Sequence, residues 1–142
     1  MIRSSNYSRL QAINRCNELK ILIVDDYEAF RGVASDMTQK WGYQVCTATN
    51  GKEAIETYKK EKPDAILMDL KMPELDGFSA FEKIKKFDPD AKTFLMTAYQ
   101  DDPRLYDAKA KGVLHIFEKP FSLRELKEKF VKHLGRGSPL RI

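Results

Sequence analysis

Five short apolar runs, each followed by an amphipathic stretch, restrict what this chain can fold into. The runs are KILIV (20–24), YQVCTAT (43–49), DAILMD (64–69), AKTFLMTA (91–98) and VLHIFE (113–118). They are shorter than core helices and rich in β-branched and aromatic residues, so they read as strands buried on both faces. Helical periodicity fills the gaps, over 28–41, 52–62, 78–87, 103–111 and 122–134. Phe30, Val33, Ala34, Met37 and Trp41 share one face of the first helix. Phe78, Phe81 and Ile84 share one side of the third, and Leu123, Leu126, Phe130 and Val131 point inward on the last. Strand and helix alternating five times predict an α/β fold with a parallel sheet covered by helices on both sides and joined by right-handed crossovers.

The punctuation agrees with this division. Gly42 and Gly112 stop helices. Asn50-Gly51 turns the chain into a helix, and Pro63 lies just past that helix's end. Asp102-Pro103 reads as N-cap and first helical position. Ser122 and Glu125 form a capping box. Asp76-Gly77 reads as turn chemistry, with Gly77 taking an unusual backbone angle and Asp76 capping the next helix. One domain over 20–134 accounts for every element, leaving 1–19 as a flexible lead-in and 135–142 as a tail.

Composition narrows the function classes. The chain is 42% hydrophobic and 32% charged, as a globular domain is, and carries a net charge of +4. Its lysines alternate with acids and apolar residues, as in YKKEK and LKEKFVKH, which is the pattern of solvated helix faces and not of a nucleic-acid platform. No apolar run approaches membrane-spanning length, and the first 20 residues lack the apolar core of a signal peptide. Cys16 and Cys46 have no metal or redox spacing. A cytoplasmic protein with no nucleic-acid or membrane partner is expected.

In a parallel sheet of this kind, ligands bind beyond the C-terminal ends of the strands. Strand 1 ends in Asp25 and Asp26, strand 3 in Asp69, strand 4 in Thr97, and strand 5 in Lys119 before Pro120. Each has a plain structural reading alone: Asp25-Asp26 as a helix cap, Asp69 as a turn residue, Thr97 as a partner for a backbone group, Lys119 as surface. Together at one edge, three carboxylates repel unless a cation lies among them. Mg²⁺ suits an all-oxygen set, whereas no Cys/His cluster exists for zinc. Lys119 and Thr97 add a positive charge and a hydroxyl for an anionic, oxygen-rich group such as a phosphoryl. A carboxylate can itself be the nucleophile and form an aspartyl phosphate. The phosphate cradles GxxxxGK[ST] and GxGxxG are absent, which argues against nucleotide binding.

The segments ILIVDD, ILMDLKMPELDG, LMTAY and FEKPF, in that order, resemble the landmarks of the response-regulator receiver domain of two-component signalling. Asp26 to Asp69 is 43 positions, Asp69 to Thr97 is 28, and Thr97 to Lys119 is 22. The resemblance covers about 20–134. It implies a flavodoxin-like doubly wound (βα)5 fold with strand order 2-1-3-4-5. It makes Asp69 the phosphoacceptor, served by a histidine kinase or a histidine-containing phosphotransfer protein. Asp26, Asp69 and the Lys71 carbonyl would bind Mg²⁺, with Asp25 acting mainly through water. Thr97 would turn to the phosphoryl group, Lys119 would pair with it, and the Lys119-Pro120 bond would be cis. Within the family, Lys71, Tyr99 and the lack of an output domain resemble the sporulation phosphorelay intermediate, a relay that passes the group on or contacts a downstream protein. One position departs: Ile116 stands where many members carry the switch Tyr or Phe, and its neighbour His115 should point to the opposite side of the sheet. Two other classes stay open on the residues, a Mg²⁺-dependent phosphohydrolase with an aspartate nucleophile and a flavodoxin-like binding module that is not phosphorylated. Lys71 disfavours the hydrolase, which needs an acid two residues after its nucleophile.

Overall fold

The computed structural model describes residues 19–136. The elements are β1 (Lys20–Val24), α1 (Glu28–Lys40), β2 (Gln44–Ala48), α2 (Gly51–Glu61), β3 (Ala65–Asp69), α3 (Gly77–Phe87), β4 (Thr93–Thr97), α4 (Arg104–Ala110), β5 (His115–Glu118) and α5 (Leu123–Leu134). All five strands pair in parallel, in the order β2-β1-β3-β4-β5. This is the flavodoxin-like arrangement expected, with element ends shifted by one or two residues. The largest shifts are at β4 and β5, whose runs begin two residues before the ladders do.

Strand alternation divides the core into two layers. Ile21, Ile23, Ala65, Leu67, Phe94, Met96 and Phe117 face one side, where Ala34 of α1 and Leu126 and Phe130 of α5 close over them. Leu22, Val24, Ile66, Met68 and Leu95 face the other, against Ala54 and Tyr58 of α2, Phe81 and Ile84 of α3 and Ala108 of α4. Each fully buried Ile, Leu or Phe contributes roughly 1.5–3 kcal/mol, which makes the central strands a rigid base for whatever their ends carry.

Helix boundaries follow the sequence signals closely. Asn50 Oδ1 accepts from Glu53 N (2.8 Å), Asp76 Oδ1 from Ser79 N (2.8 Å), and Ser122 Oγ from Glu125 N (3.1 Å). α4 begins at Arg104, one residue later than expected, with Pro103 in the N-cap place, and Asp102 Oδ1 accepts from Arg104 N (3.0 Å). Gly42 and Gly112 have φ of 96° and 95°, which closes the preceding helices. The Glu125 carboxylate lies 3.5 Å from His115 Nε2.

Two expectations need correction. Val33 is 52% exposed, and Thr38 takes a buried place on α1 instead. The periodicity is right, but the helix is rotated so that the 30–34–38–41 row meets the sheet. Gly77 does not have a positive φ; a Cβ there would collide with the backbone at the end of β3. The proposed lead-in and tail fall almost entirely outside the described residues. Of their flanks, the Leu19 carbonyl accepts from Gln44 N (2.8 Å), and the Gly135 carbonyl accepts from Tyr43 Oη (2.5 Å). Cys46 sits half-buried on β2, and burial pushes its thiol up to about 11, so it is unreactive near neutrality. Among the described residues no helix is long and apolar enough to cross a membrane.

Candidate functional site

Register brings the acids together. β1 and β3 pair with a constant offset, Ile21 with Ala65 through Val24 with Met68. One step further sets Asp25 beside Asp69, both on the α1–α5 side of the sheet. The ends are tied into the ladder: Asp25 N donates to Ala48 O (3.2 Å), Leu70 N to Met96 O (2.9 Å) and Lys119 N to Thr97 O (2.7 Å). Parity puts Lys119 on the same side as Asp25 and Asp69. Its Nζ lies 3.2 Å from Asp25 Oδ2 and 3.1 Å from Asp69 Oδ2. Asp26 is exposed at the rim, and one carboxylate oxygen from each of Asp25, Asp26 and Asp69 lies within a 4.8 Å cluster.

The electrostatics of this cluster are strained. Asp25 is completely buried and Asp69 is 8% exposed. Burial raises the Asp69 pKa above the ordinary carboxylate value, and neighbouring Asp25 adds to this, while the Lys119 ammonium opposes it. Burial works against the Lys119 charge too, but Asp69 and Asp25 outweigh it and hold its pKa above the usual lysine value. One ammonium among three carboxylates leaves excess negative charge at a mouth open to water. A hard divalent cation with oxygen ligands fits that donor set.

Asp25 is also positioned by its own loop. Its Oδ1 accepts from Tyr27 N (2.9 Å), and its carbonyl accepts from Arg31 Nη1 (2.8 Å). Both carboxylate oxygens therefore have partners, whereas the contact of Asp69 Oδ1 with Lys71 N, at 3.5 Å, is at the limit of a hydrogen bond.

Thr97 has the opposite parity and emerges on the α3–α4 side, 2% exposed. Its hydroxyl donates to Tyr99 O (3.1 Å) and accepts from Tyr99 N (2.9 Å). The Lys71 side chain runs outward over the Tyr99 ring, 4.6 Å from its centroid, and donates to Tyr99 Oη (3.3 Å). These residues line an open cleft of about 550 Å³ with Leu70, Asp76 and Arg104. Strand 2 ends in capping instead of chemistry, since Thr49 Oγ1 donates to Glu53 Oε2 (2.7 Å) and Asn50 caps α2. On β5, Ile116 packs with the α2–α4 layer, whereas the His115 ring stacks edge-on against Phe117 (4.7 Å). The two point to opposite sides, as alternation requires, and His115 is a packing residue.

The turn after Asp69 is held by contacts that the sequence hid. Gly77 N donates to Leu70 O (2.8 Å). A Cβ on Gly77 would meet Asp69 C and Leu70 Cα at 2.9 Å, and the Asp69 carbonyl oxygen more closely still. Glycine is there so that the start of α3 can lie on the Asp69–Leu70 backbone. Arg104 then fastens α4 to α3, with Nη1 2.7 Å from Asp76 Oδ2 and Nη2 2.9 Å from Asp102 Oδ2. Sequence reasoning missed Arg104 altogether; an arginine one residue past an Asp-Pro cap carried no signal of a partner 28 positions earlier.

Asp76 thus serves as a cap and as an ion-pair partner, and Asp76→Ala should cost about 1 kcal/mol for the cap and less than about 1 kcal/mol for the half-exposed pair. Partial burial works against its charge, but hydrogen bonds from Ser79 and Arg104 prevail and hold its pKa below the ordinary value. A depressed pKa means that the stabilisation is present above the unfolded-state pKa and is lost as pH falls through the folded one. The gap between wild type and variant in urea midpoints should therefore narrow below about pH 4.

Known proteins share this fold. The family model for the response regulator receiver domain matches residues 21–131. Sporulation initiation phosphotransferase F of Bacillus subtilis is 36% identical over 115 residues, which is 81% of this chain and 93% of that protein. A CheY-like receiver domain protein of Methanospirillum hungatei superposes with a TM-score of 0.78 at 28% identity, covering 82% of this chain and 94% of that one. CheY of Borrelia burgdorferi, solved in complex with CheX, BeF₃ and Mg²⁺, superposes with a TM-score of 0.76 at 25% identity, covering 80% and 87%. The chain belongs to the response regulator receiver domain family.

Proposed function

We propose that this receiver domain, as a cytoplasmic signalling protein, accepts a phosphoryl group on Asp69 from a histidine kinase or a histidine-containing phosphotransfer protein, and then either contacts a downstream protein or passes the group on. The observation that carries the reading is Lys119 Nζ, 3.1 Å from Asp69 and 3.2 Å from Asp25, at an edge where three carboxylates cluster within 4.8 Å.

The step itself is a displacement at phosphorus. An Asp69 carboxylate oxygen forms the new P–O bond as the P–N bond to the donor imidazole breaks. The electron pair stays on that nitrogen, which takes a proton from solvent. Lys119 pairs with a phosphoryl oxygen and opposes its negative charge. Bound Mg²⁺, held by Asp26, Asp69 and the Lys71 carbonyl with Asp25 acting through water, would supply further charge neutralisation on the phosphoryl oxygens. The relative solved with BeF₃ and Mg²⁺ supports this reading of the acidic cluster. No acid stands two residues after Asp69 to protonate a leaving group; Lys71 occupies that place and lies over Tyr99, which disfavours a phosphohydrolase.

Thr97 provides the output. Turning its hydroxyl toward a phosphoryl on Asp69 frees the Tyr99 carbonyl and amide that it now holds, so the loop between β4 and α4 is released from its anchor. Ile116 has no ring to swing, so that loop must report the event by itself. On the input side, Tyr27 is 67% exposed and Val33 52%, on the outward side of α1 next to the Asp25–Asp26 turn. An apolar helical surface on a phosphotransfer partner would match them.

Incubation with a small phosphodonor should give Mg²⁺-dependent labelling, stable in acid and labile in alkali, as an acyl phosphate is. Rapid turnover of unrelated phosphomonoesters without such a label would overturn the reading. Mg²⁺ at ten times its Kd should stabilise the fold by about 1.4 kcal/mol, seen as a raised melting midpoint, and Asp26→Asn should weaken that response.

A further inference from the structure

Lys119 has a third partner that is not an anion. Its Nζ lies 5.4 Å from the centroid of the Phe30 ring. Phe30 sits in the first turn of α1 and packs edge-on against Phe121, with centroids 5.9 Å apart at 80°. Phe121 in turn lies on Phe117, 4.9 Å away at 36°, and Phe117 is completely buried. The short segment that carries the lysine therefore carries, two residues to either side, the backing that fixes the ring.

Building on the reading of Asp69 as phosphoacceptor, we infer that Phe30 is a positioning residue that holds the Lys119 ammonium at the acceptor edge while its carboxylate partners are engaged elsewhere. Asp25 and Asp69 anchor the lysine, and both belong to the cluster that suits a divalent cation. A cation there competes for their lone pairs and repels the ammonium. The face of an aromatic ring attracts an ammonium through its quadrupole but offers no oxygen to a hard metal. The contact with Phe30 thus persists under the conditions that weaken the two ion pairs. Lys119 needs such an anchor, because its side chain is 28% exposed and an ammonium on a flexible four-carbon stem is readily drawn out into water.

Fluorinated phenylalanines at position 30 drain the ring's π density while nearly conserving its volume. In Mg²⁺-saturated protein, phosphorylation from a small phosphodonor should fall stepwise from Phe to trifluoro-Phe, by about threefold to tenfold in total. Phe30→Leu should lie at the bottom of the series. The order parameter of the Lys119 ammonium, read by ¹⁵N NMR on unphosphorylated protein, should fall in the same order while the melting midpoint stays level. In a Lys119→Met background the fluorine series should have no effect on the residual rate. A flat series in wild type, or a rate that falls with the melting midpoint while Lys119 order is unchanged, overturns the inference and leaves Phe30 a packing residue. Failure of the underlying reading is distinguishable, because wild type itself would not label, or Asp69→Ala would label equally.

Discussion

Asp69→Ala should reduce phosphoryl labelling by a small phosphodonor roughly a thousandfold or more, to background. Neighbouring carboxylates are poorly placed to take over. Asp25 is completely buried, and its two oxygens are committed to Tyr27 N and Lys119 Nζ. Asp26 is exposed at the rim, and no ion pair or hydrogen bond joins its side chain to Lys119 among the interactions of the described residues. Equal labelling of wild type and Asp69→Ala would remove Asp69 from the chemistry. The conservative variant Asp69→Asn should separate chemistry from folding, because it is expected to lose the label and gain stability in Mg²⁺-free buffer. Burial, aided by Asp25, raises the Asp69 pKa despite Lys119. A raised folded-state pKa gives a stability contribution that is present below the unfolded-state pKa and lost as pH rises through the folded one. Above that raised pKa the wild type therefore carries the cost of an ionised, crowded carboxylate, and the amide does not. The difference in melting midpoint should shrink as pH is lowered through the raised pKa toward the ordinary carboxylate range.

The sequence disclosed the parts of this molecule that depend on period and on chain ends. Buried strands announce themselves as short apolar runs, and whatever follows such a run lies at the sheet's edge, so Asp25, Asp26, Asp69, Thr97 and Lys119 are legible from the chain alone. The resemblance to receiver domains supplies the strand order, which periodicity by itself does not encode. What stays hidden depends on rotation and on contacts between distant segments. Periodicity says which residues of α1 share a face, but not which edge of that face meets the sheet, so Val33 reads as core and Thr38 does not. The Arg104–Asp76 pair and the Phe30–Lys119 contact join residues 28 and 89 positions apart, with no local signature in either partner. Thr97 is recognisable as a strand-end hydroxyl, yet its present partner, the Tyr99 backbone, is a matter of loop geometry. Gly77 invites the commonest explanation of a turn glycine, a positive φ, when the operative reason is the close approach of two backbones.

Gly77→Ala should destabilise the protein by about 2–4 kcal/mol, in the range of overpacking a tight contact, out of a total of about 5–15 kcal/mol for a domain. The added methyl would lie 2.9 Å from Asp69 C and Leu70 Cα, and nearer still to the Asp69 carbonyl oxygen. Those atoms are backbone, so no side chain can rotate away; α3 must slide off the end of β3 or the Asp69–Leu70 peptide must shift. Either response strains the Gly77–Leu70 hydrogen bond and moves the carboxylate relative to Lys119, so labelling should fall together with stability. Gly32→Ala is the contrasting case. It lies inside α1 with nothing within 4 Å of the place a Cβ would take, and helix propensity alone should make that variant more stable by about 0.5–1 kcal/mol. Urea unfolding of the two variants side by side tests the argument. A Gly77→Ala protein as stable as wild type would mean that the start of α3 does not rest on the Asp69–Leu70 backbone, and equal losses from both variants would mean that close approach is not what distinguishes the two positions.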